Sequence, residues 1–238
     1  MSDSELPPPR VAVGCAELPP GMSRAAYFKK LTLLEMRLPG DSAPAARVAE
    51  RWAAELGDRG QLSLVAPRWM AACHRPEARS PAEIDAAVAD LAATATRARA
   101  AAVVFATPPD LSPSTAHRDA LRRFFTDVAS NERFAGAARI WQPDGLWRPI
   151  VAAAFAAELG VAAAVDPLAP DPLEEGLPDA PDGVAYARVT GLGRPGRPLG
   201  VDDLSQLLEW AEPSERAFLV FATTARYRDA RALARALD

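Results

Sequence analysis

The chain alternates between short unbroken apolar runs and longer stretches whose apolar residues recur every three or four positions. Arg10–Gly14 (RVAVG) is the first run, closed by glycine. Leu31–Leu38, Gln61–Ala66, Ala101–Thr107, Ala137–Trp141, Val161–Asp166, Val184–Thr190 and Arg216–Thr223 follow it. Runs apolar on both faces predict strands covered on both sides. The intervening pattern predicts helices over Ser23–Lys30, from a Ser42 cap to Leu56, from Ser80 to about Arg99, and from Ser112 or Ser114 to about Ser130. Further helices are expected over Leu146–Leu159, Val201–Ala211 and Thr224–Leu237. The clearest boundary is Ser80-Pro81-Ala82-Glu83, with serine at the N-cap, proline in the first turn and glutamate placed to close a capping box. Gly160 sits where a helix-ending glycine belongs.

Eight such strands, seven followed by a helix and the sixth by an irregular loop, imply parallel βαβ units. In 238 residues that number fits an α/β fold of one kind, a single (β/α)8 TIM barrel. Residues 1–9, ending in Pro7-Pro8-Pro9, read as a flexible tail, and 10–238 as one barrel domain. No GxGxxG follows the first strand, so a dinucleotide-binding fold is disfavoured.

Composition narrows the function classes. Twenty-seven basic against 31 acidic residues give a formal net charge of −4, which disfavours a nucleic-acid binder. No apolar run is long enough for a membrane helix, and the N-terminus lacks a signal-peptide pattern, so a soluble cytoplasmic protein is expected. Only Lys29 and Lys30 are lysines; an arginine excess of this kind accompanies an alanine-rich, compositionally biased chain. Cys15 and Cys73 have no redox or metal spacing and read as small buried residues rather than a disulfide. Nothing calls for a cofactor or a metal, and no feature points to an oligomeric state.

Several segments, in chain order, resemble those of one known family. Val11–Cys15 followed by Pro19-Pro20-Gly21 resembles the family's first strand and its Tyr-Pro-Pro segment. Tyr27 to Arg37 is similar to the second strand, with Glu35 on the family glutamate. Leu64–Arg68 resembles a Val-Lys-Ala-Pro-Arg third strand, with His74 near a histidine that often follows. Phe105–Pro109 resembles Leu-Gln-Leu-Pro-Pro. Trp147 falls at the end of an Arg-x-x-Ser-Trp segment, Asp166 at the end of strand six, and Tyr186-Ala187-Arg188 on Tyr-x-Arg-x-His-Gly. The departures lie at the strand ends. Arg37, Val65, Ala106, Trp141 with Pro143, Thr190, and Ala222 with Thr223 replace the family's Asn, Lys, Gln, Glu-x-Arg, His and paired Asn. Together these segments resemble the YecE-like family of uncharacterised TIM barrels, the domain of unknown function 72 (DUF72); the resemblance implies a retained barrel with a largely altered polar rim, and it carries no reaction with it.

The rim still offers Glu35, Arg37, Arg68, His74, Asp144, Asp166, Arg188 and Thr190. Glu35 and Arg37 are two apart and face one side of their strand. A buried Glu35 is expected to pair with Arg188 or Arg37. A catalytic alternative assigns acid/base roles to Glu35, His74 and Asp166, giving a metal-independent hydrolase or lyase. His117 is expected to be a solvated helix residue. The loop Gly191–Gly200, with Arg194 and Arg197, lies where TIM barrels often bind phosphate. Arg37, Arg68, Arg188, Thr190, Arg194 and Arg197 are therefore the expected ligand contacts. The acidic, proline-rich stretch from Pro167 to Gly183 is either a lid on that loop or a solvated linker. Trp69, Trp141 and Trp147 suggest aromatic area at the rim, for an apolar pocket or a protein contact. Three functions follow: a divergent, non-catalytic or altered barrel binding a small anionic ligand or a protein partner, the hydrolase or lyase, and nucleic-acid backbone binding at the barrel mouth.

Overall fold

The computed structural model describes residues 10–38, 44–57, 59–72, 79–169, 183–191 and 199–237. Its strands follow the chain as β1 (Val11–Ala16), β2 (Leu33–Arg37), β3 (Gln61–Val65), β4 (Ala100–Ala106), β5 (Ala138–Gln142), β6 (Ala162–Val165), β7 (Val184–Val189) and β8 (Arg216–Phe221). They form a closed barrel in sequence order, and β8 pairs in parallel with β1 from Val11↔Ala217 to Cys15↔Phe221. The helices among the described residues are α1 (Arg24–Phe28), α2 (Ala46–Glu55), α3 (Pro81–Arg97), α4 (Thr115–Arg123), α5 (Pro149–Glu158), α6 (Val201–Ala211) and α7 (Arg226–Leu237). None of these is long and apolar enough to cross a membrane. The expected (β/α)8 architecture is the observed one.

Strand alternation divides the apolar residues into two sets. Ala12, Leu33, Val65, Ala102, Val104, Ile140, Ala162, Ala164, Tyr186, Phe218 and Val220 form one buried cluster inside the barrel. Val13, Cys15, Leu34, Leu64, Val103, Phe105 and Leu219 belong to the other, between strands and helices. Alanines on β1, β4 and β6 leave the interior roomy. The rings of Tyr186 and Phe218, on adjacent strands with centroids 5.9 Å apart, occupy that space.

Gly14 fixes how closely β1 approaches β2. A Cβ built there would lie 1.5 Å from the Leu33 carbonyl oxygen. Tyr27 of α1 seals the same spot: its hydroxyl donates to the Leu33 carbonyl (2.6 Å) and accepts the Cys15 N–H (2.7 Å). Burial pushes the Cys15 thiol up to about 11 and the Tyr27 phenol upward as well.

Local chemistry sets the helix ends. Ser80 caps α3 with the full capping box to Glu83, and hydrogen bonds from Ser80 hold the Glu83 carboxyl below its usual range. Ser114, not Ser112, caps α4, which continues as a π turn over Phe124–Val128. The Arg139 guanidinium collects the carbonyls left there, donating to Phe125 (3.0 Å), Ala129 (2.9 Å) and, beyond α5, Gly160 (2.9 Å); helix-end carbonyls need such donors.

Some expected boundaries move. The second helix starts at Ala46 with Ala45 as an N-cap lacking a side-chain bond, and Ser42 lies outside the described residues. Leu146 and Trp147 precede α5, because Pro149 in its first turn sets the start. The last helix begins at Arg226 rather than Thr224. His117 is half-buried rather than solvated, and its Nδ1 accepts the Ser112 N–H at 3.0 Å. Trp141 and Trp147 are 0% and 7% exposed, packed edge-to-face at 4.8 Å. Their indole N–H groups donate to Thr107 Oγ1 (3.2 Å) and the Leu111 carbonyl (2.7 Å), so these two are core and offer no rim surface.

Candidate functional site

The C-terminal ends of β1, β2, β7 and β8 surround a pocket of about 160 Å³ at the barrel mouth. Ala16 closes β1, Glu35 and Arg37 come from β2, and Arg188 from β7. Glu17 and Ala222 follow β1 and β8, and Arg226 opens α7. The ends of TIM-barrel strands are where sites are assembled, and the period of two along a strand explains why Glu35 and Arg37 arrive together.

Glu35 is 2% exposed, and a buried carboxylate needs a partner. Arg188 Nε donates to its Oε1 at 3.1 Å and Oε2 at 3.3 Å. The Tyr186 hydroxyl donates to Oε2 at 2.8 Å, and Ser63 Oγ lies 2.8 Å from that hydroxyl. A continuous polar chain therefore runs from Ser63 inside the barrel through Tyr186 and Glu35 to Arg188 at the mouth. Burial, then the neighbouring Glu35 charge, pushes the Tyr186 phenol far up, so it stays a neutral donor. With both oxygens of Glu35 engaged, its carboxylate is arranged as an anchor for Arg188 rather than as an open proton acceptor.

Arg188 reaches Glu35 through Nε alone. A guanidinium has five N–H donors, so the Nη edge of Arg188 has no partner among the described residues. Arg226 is half-buried, and its Nε is buried without an acceptor. Arg37 is exposed and makes no ion pair among the described residues. Glu17 stands at the lip with a left-handed backbone (φ 64°), its N–H donating to the Glu35 carbonyl at 2.8 Å.

The remaining expected site residues among those described do not line this pocket. Asp166 Oδ2 accepts both the Thr190 N–H (2.8 Å) and the Thr190 hydroxyl (2.7 Å), while Oδ1 accepts the Leu168 N–H (3.1 Å). These two residues tie the loop after β6 to the end of β7, and neither lines the pocket. Glu35 and Asp166 thus serve separate hydrogen-bond sets, and Asp166 does not border the pocket that Glu35 lines. Arg68 pairs with Asp144 at 3.0 Å across the ends of β3 and β5, with both side chains well exposed. Trp69 carries Arg79 over its ring at 4.0 Å. His74, Arg194, Arg197 and Cys73, with most of the acidic stretch, lie outside the described residues.

Sequence reasoning did not anticipate Glu17, Ser63 or Arg226, and quoted Tyr186 only within a motif. Tyr186 and Ser63 were accessible by strand parity, Tyr186 two residues before Arg188 and Ser63 facing Glu35 in the β2–β3 register. Arg226 sits on a helix whose first turn only the fold brings to the mouth.

No protein-family model matches the sequence, and no curated protein matches it. Solved structures do. A DUF72 family protein of Thermotoga maritima shares 13% identity over 95% of this chain and 98% of its own, with a TM-score of 0.65. A DUF72 family protein of Enterococcus faecalis shares 12% over 95% and 96%, with a TM-score of 0.67. An L-ribulose 3-epimerase shares 14% over 90% and 84%, with a TM-score of 0.57. The likeness at 12–14% identity is one of fold, and the chain is an eight-stranded parallel barrel of the kind that the DUF72 proteins adopt.

Proposed function

We propose that the chain is a divergent DUF72 barrel whose C-terminal mouth binds a small anionic ligand without catalysing its conversion. One observation carries this reading: three guanidiniums, of Arg37, Arg188 and Arg226, border one pocket, and among the described residues only Arg188 has a carboxylate partner. Unpaired arginines at a partly enclosed site favour carboxylate or phosphate, which match the planar donor fork. The size agrees. About 160 Å³ is below the ~300 Å³ at which drug-sized ligand sites begin, and well above the ~30 Å³ of a water molecule. The binding role rather than catalysis is supported by the engagement of both Glu35 oxygens by Tyr186 and Arg188 and by the separate engagement of Asp166 with Thr190 and Leu168.

The test is thermal denaturation against a panel of small carboxylates and phosphates at constant ionic strength. A ligand at ten times its Kd stabilises by about 1.4 kcal/mol, which raises the Tm of a chain this long by about 3–6 °C. The expected result is such a shift with one class of anion, abolished by Arg226→Met. A flat response to every anion overturns the reading.

A further inference from the structure

The charges and walls of the mouth pocket select among anions. Arg188 is neutralised by Glu35 at 3.1 Å. Among the described residues, what remains around the cavity is the positive charge of Arg37 and Arg226 against the negative charge of Glu17. One positive charge is therefore left uncompensated. A monoanion closes that balance, whereas a dianion leaves an excess negative charge close to Glu17 in a site partly withdrawn from water, where like charges are penalised. The backbone holds Glu17 in this role. Its left-handed φ of 64° and the N–H bond to the Glu35 carbonyl at 2.8 Å fix the lip on which the carboxylate stands.

The donors have a matching geometry. Glu35 binds Arg188 through Nε, at 3.1 and 3.3 Å to its two oxygens, and so leaves the Nη1/Nη2 edge for a second carboxylate in the bidentate arrangement that a guanidinium favours. Ala16 and Ala222 are the two uncharged residues of a lining that is otherwise carboxylate and guanidinium, and their short side chains leave room for a small, polar ligand only.

We infer that the pocket takes a small monocarboxylate, its carboxylate bound by the free Nη edge of Arg188 with the charge support of Arg37 and Arg226, and that Glu17 excludes dianions. This rests on the anion-binding reading above and names the class of ligand. Glu35 is then a positioning residue that presents Arg188, and Glu17 is the specificity determinant.

Isothermal titration of the full-length protein at pH 7.5 with propionate, lactate, malonate and inorganic phosphate tests the inference. Propionate or lactate is expected to bind at least tenfold more tightly than malonate or phosphate. Glu17→Gln, which removes the lip charge and leaves the backbone unchanged, is expected to shrink that ratio by tenfold or more through tighter binding of the dianions. Arg226→Met is expected to weaken the monocarboxylates at least tenfold, and it keeps the test independent of Arg188, whose replacement also disturbs the fold. Phosphate or malonate binding as tightly as the monocarboxylates overturns the ligand class and leaves an anion site in place. An unchanged ratio in Glu17→Gln overturns the role of Glu17. Absence of binding by all four anions overturns the anion-binding reading itself.

Discussion

Replacing Glu35 with leucine removes the carboxylate on which a half-buried guanidinium and a buried phenol depend. Arg188, whose side chain is 20% exposed, loses its only ion-pair partner among the described residues, and Tyr186 loses one of its two hydroxyl partners. Removing one member of a buried pair costs about 3–5 kcal/mol. Residual solvent contact at Arg188 places Glu35→Leu at the lower end, about 3 kcal/mol, or about 6–12 °C in Tm for a chain of this length. Arg188→Met strands a carboxylate that is 3% exposed, and its cost belongs near the upper end, about 4 kcal/mol. The double variant Glu35→Leu/Arg188→Met removes both charges together, and Tyr186 keeps its contact with Ser63. Paired removal of this kind is close to neutral, so the double variant is expected within about 1 kcal/mol of the parent. The assay is urea denaturation of all four proteins, read as the midpoint at constant m and closed as a double-mutant cycle. Additive costs, or single replacements each below about 1 kcal/mol, would refute the claim that the ion pair is a mutually dependent buried unit.

Two further outcomes follow from the fold. Gly14→Ala places a methyl 1.5 Å from the Leu33 carbonyl oxygen; because that atom is backbone, the variant is expected to lose more than about 3 kcal/mol or fail to yield soluble barrel, as measured by circular dichroism and melting. The Cys15 thiol, raised to about 11 by burial, disfavours its ionised form in the folded state. Its stabilisation is complete below the ordinary thiol range near 9 and is lost as pH rises through about 11, an effect of up to about 3 kcal/mol. Cys15→Ala is expected to flatten stability against pH over that window, and an unchanged slope would contradict the burial argument.

The eight strands were legible because each is an apolar run closed by glycine, proline or a polar rim residue, and strands buried on both faces leave little else to read. Helix ends were legible where a side chain sets them, as at Ser80 and Ser114. The start of α2 at Ala46 was not, since its N-cap, Ala45, has no side chain to mark it. In the site, Glu35, Arg37 and Arg188 were readable from strand ends. The choice of Arg188 over Arg37 as the partner of Glu35 was not, because it depends on how β2 and β7 face each other across the barrel. Trp141 and Trp147 misled for the reverse reason: they stand near strand ends in sequence but turn outward, under α5. Arg226 left no trace in strand patterning, since it enters the mouth from a helix.

The alanine lining has a consequence for engineering. Ala16 and Ala222 stand at the end of β1 and just beyond the end of β8, on the inward side by strand alternation, and both border the pocket. Each carries a Cβ aimed at the mouth with no functional group beyond it. The barrel is thus a chassis with vacant attachment points, in which histidines or carboxylates can be added one at a time around a fixed guanidinium. Chemistry can be installed there by extending side chains into space the fold has left open, with the backbone unaltered.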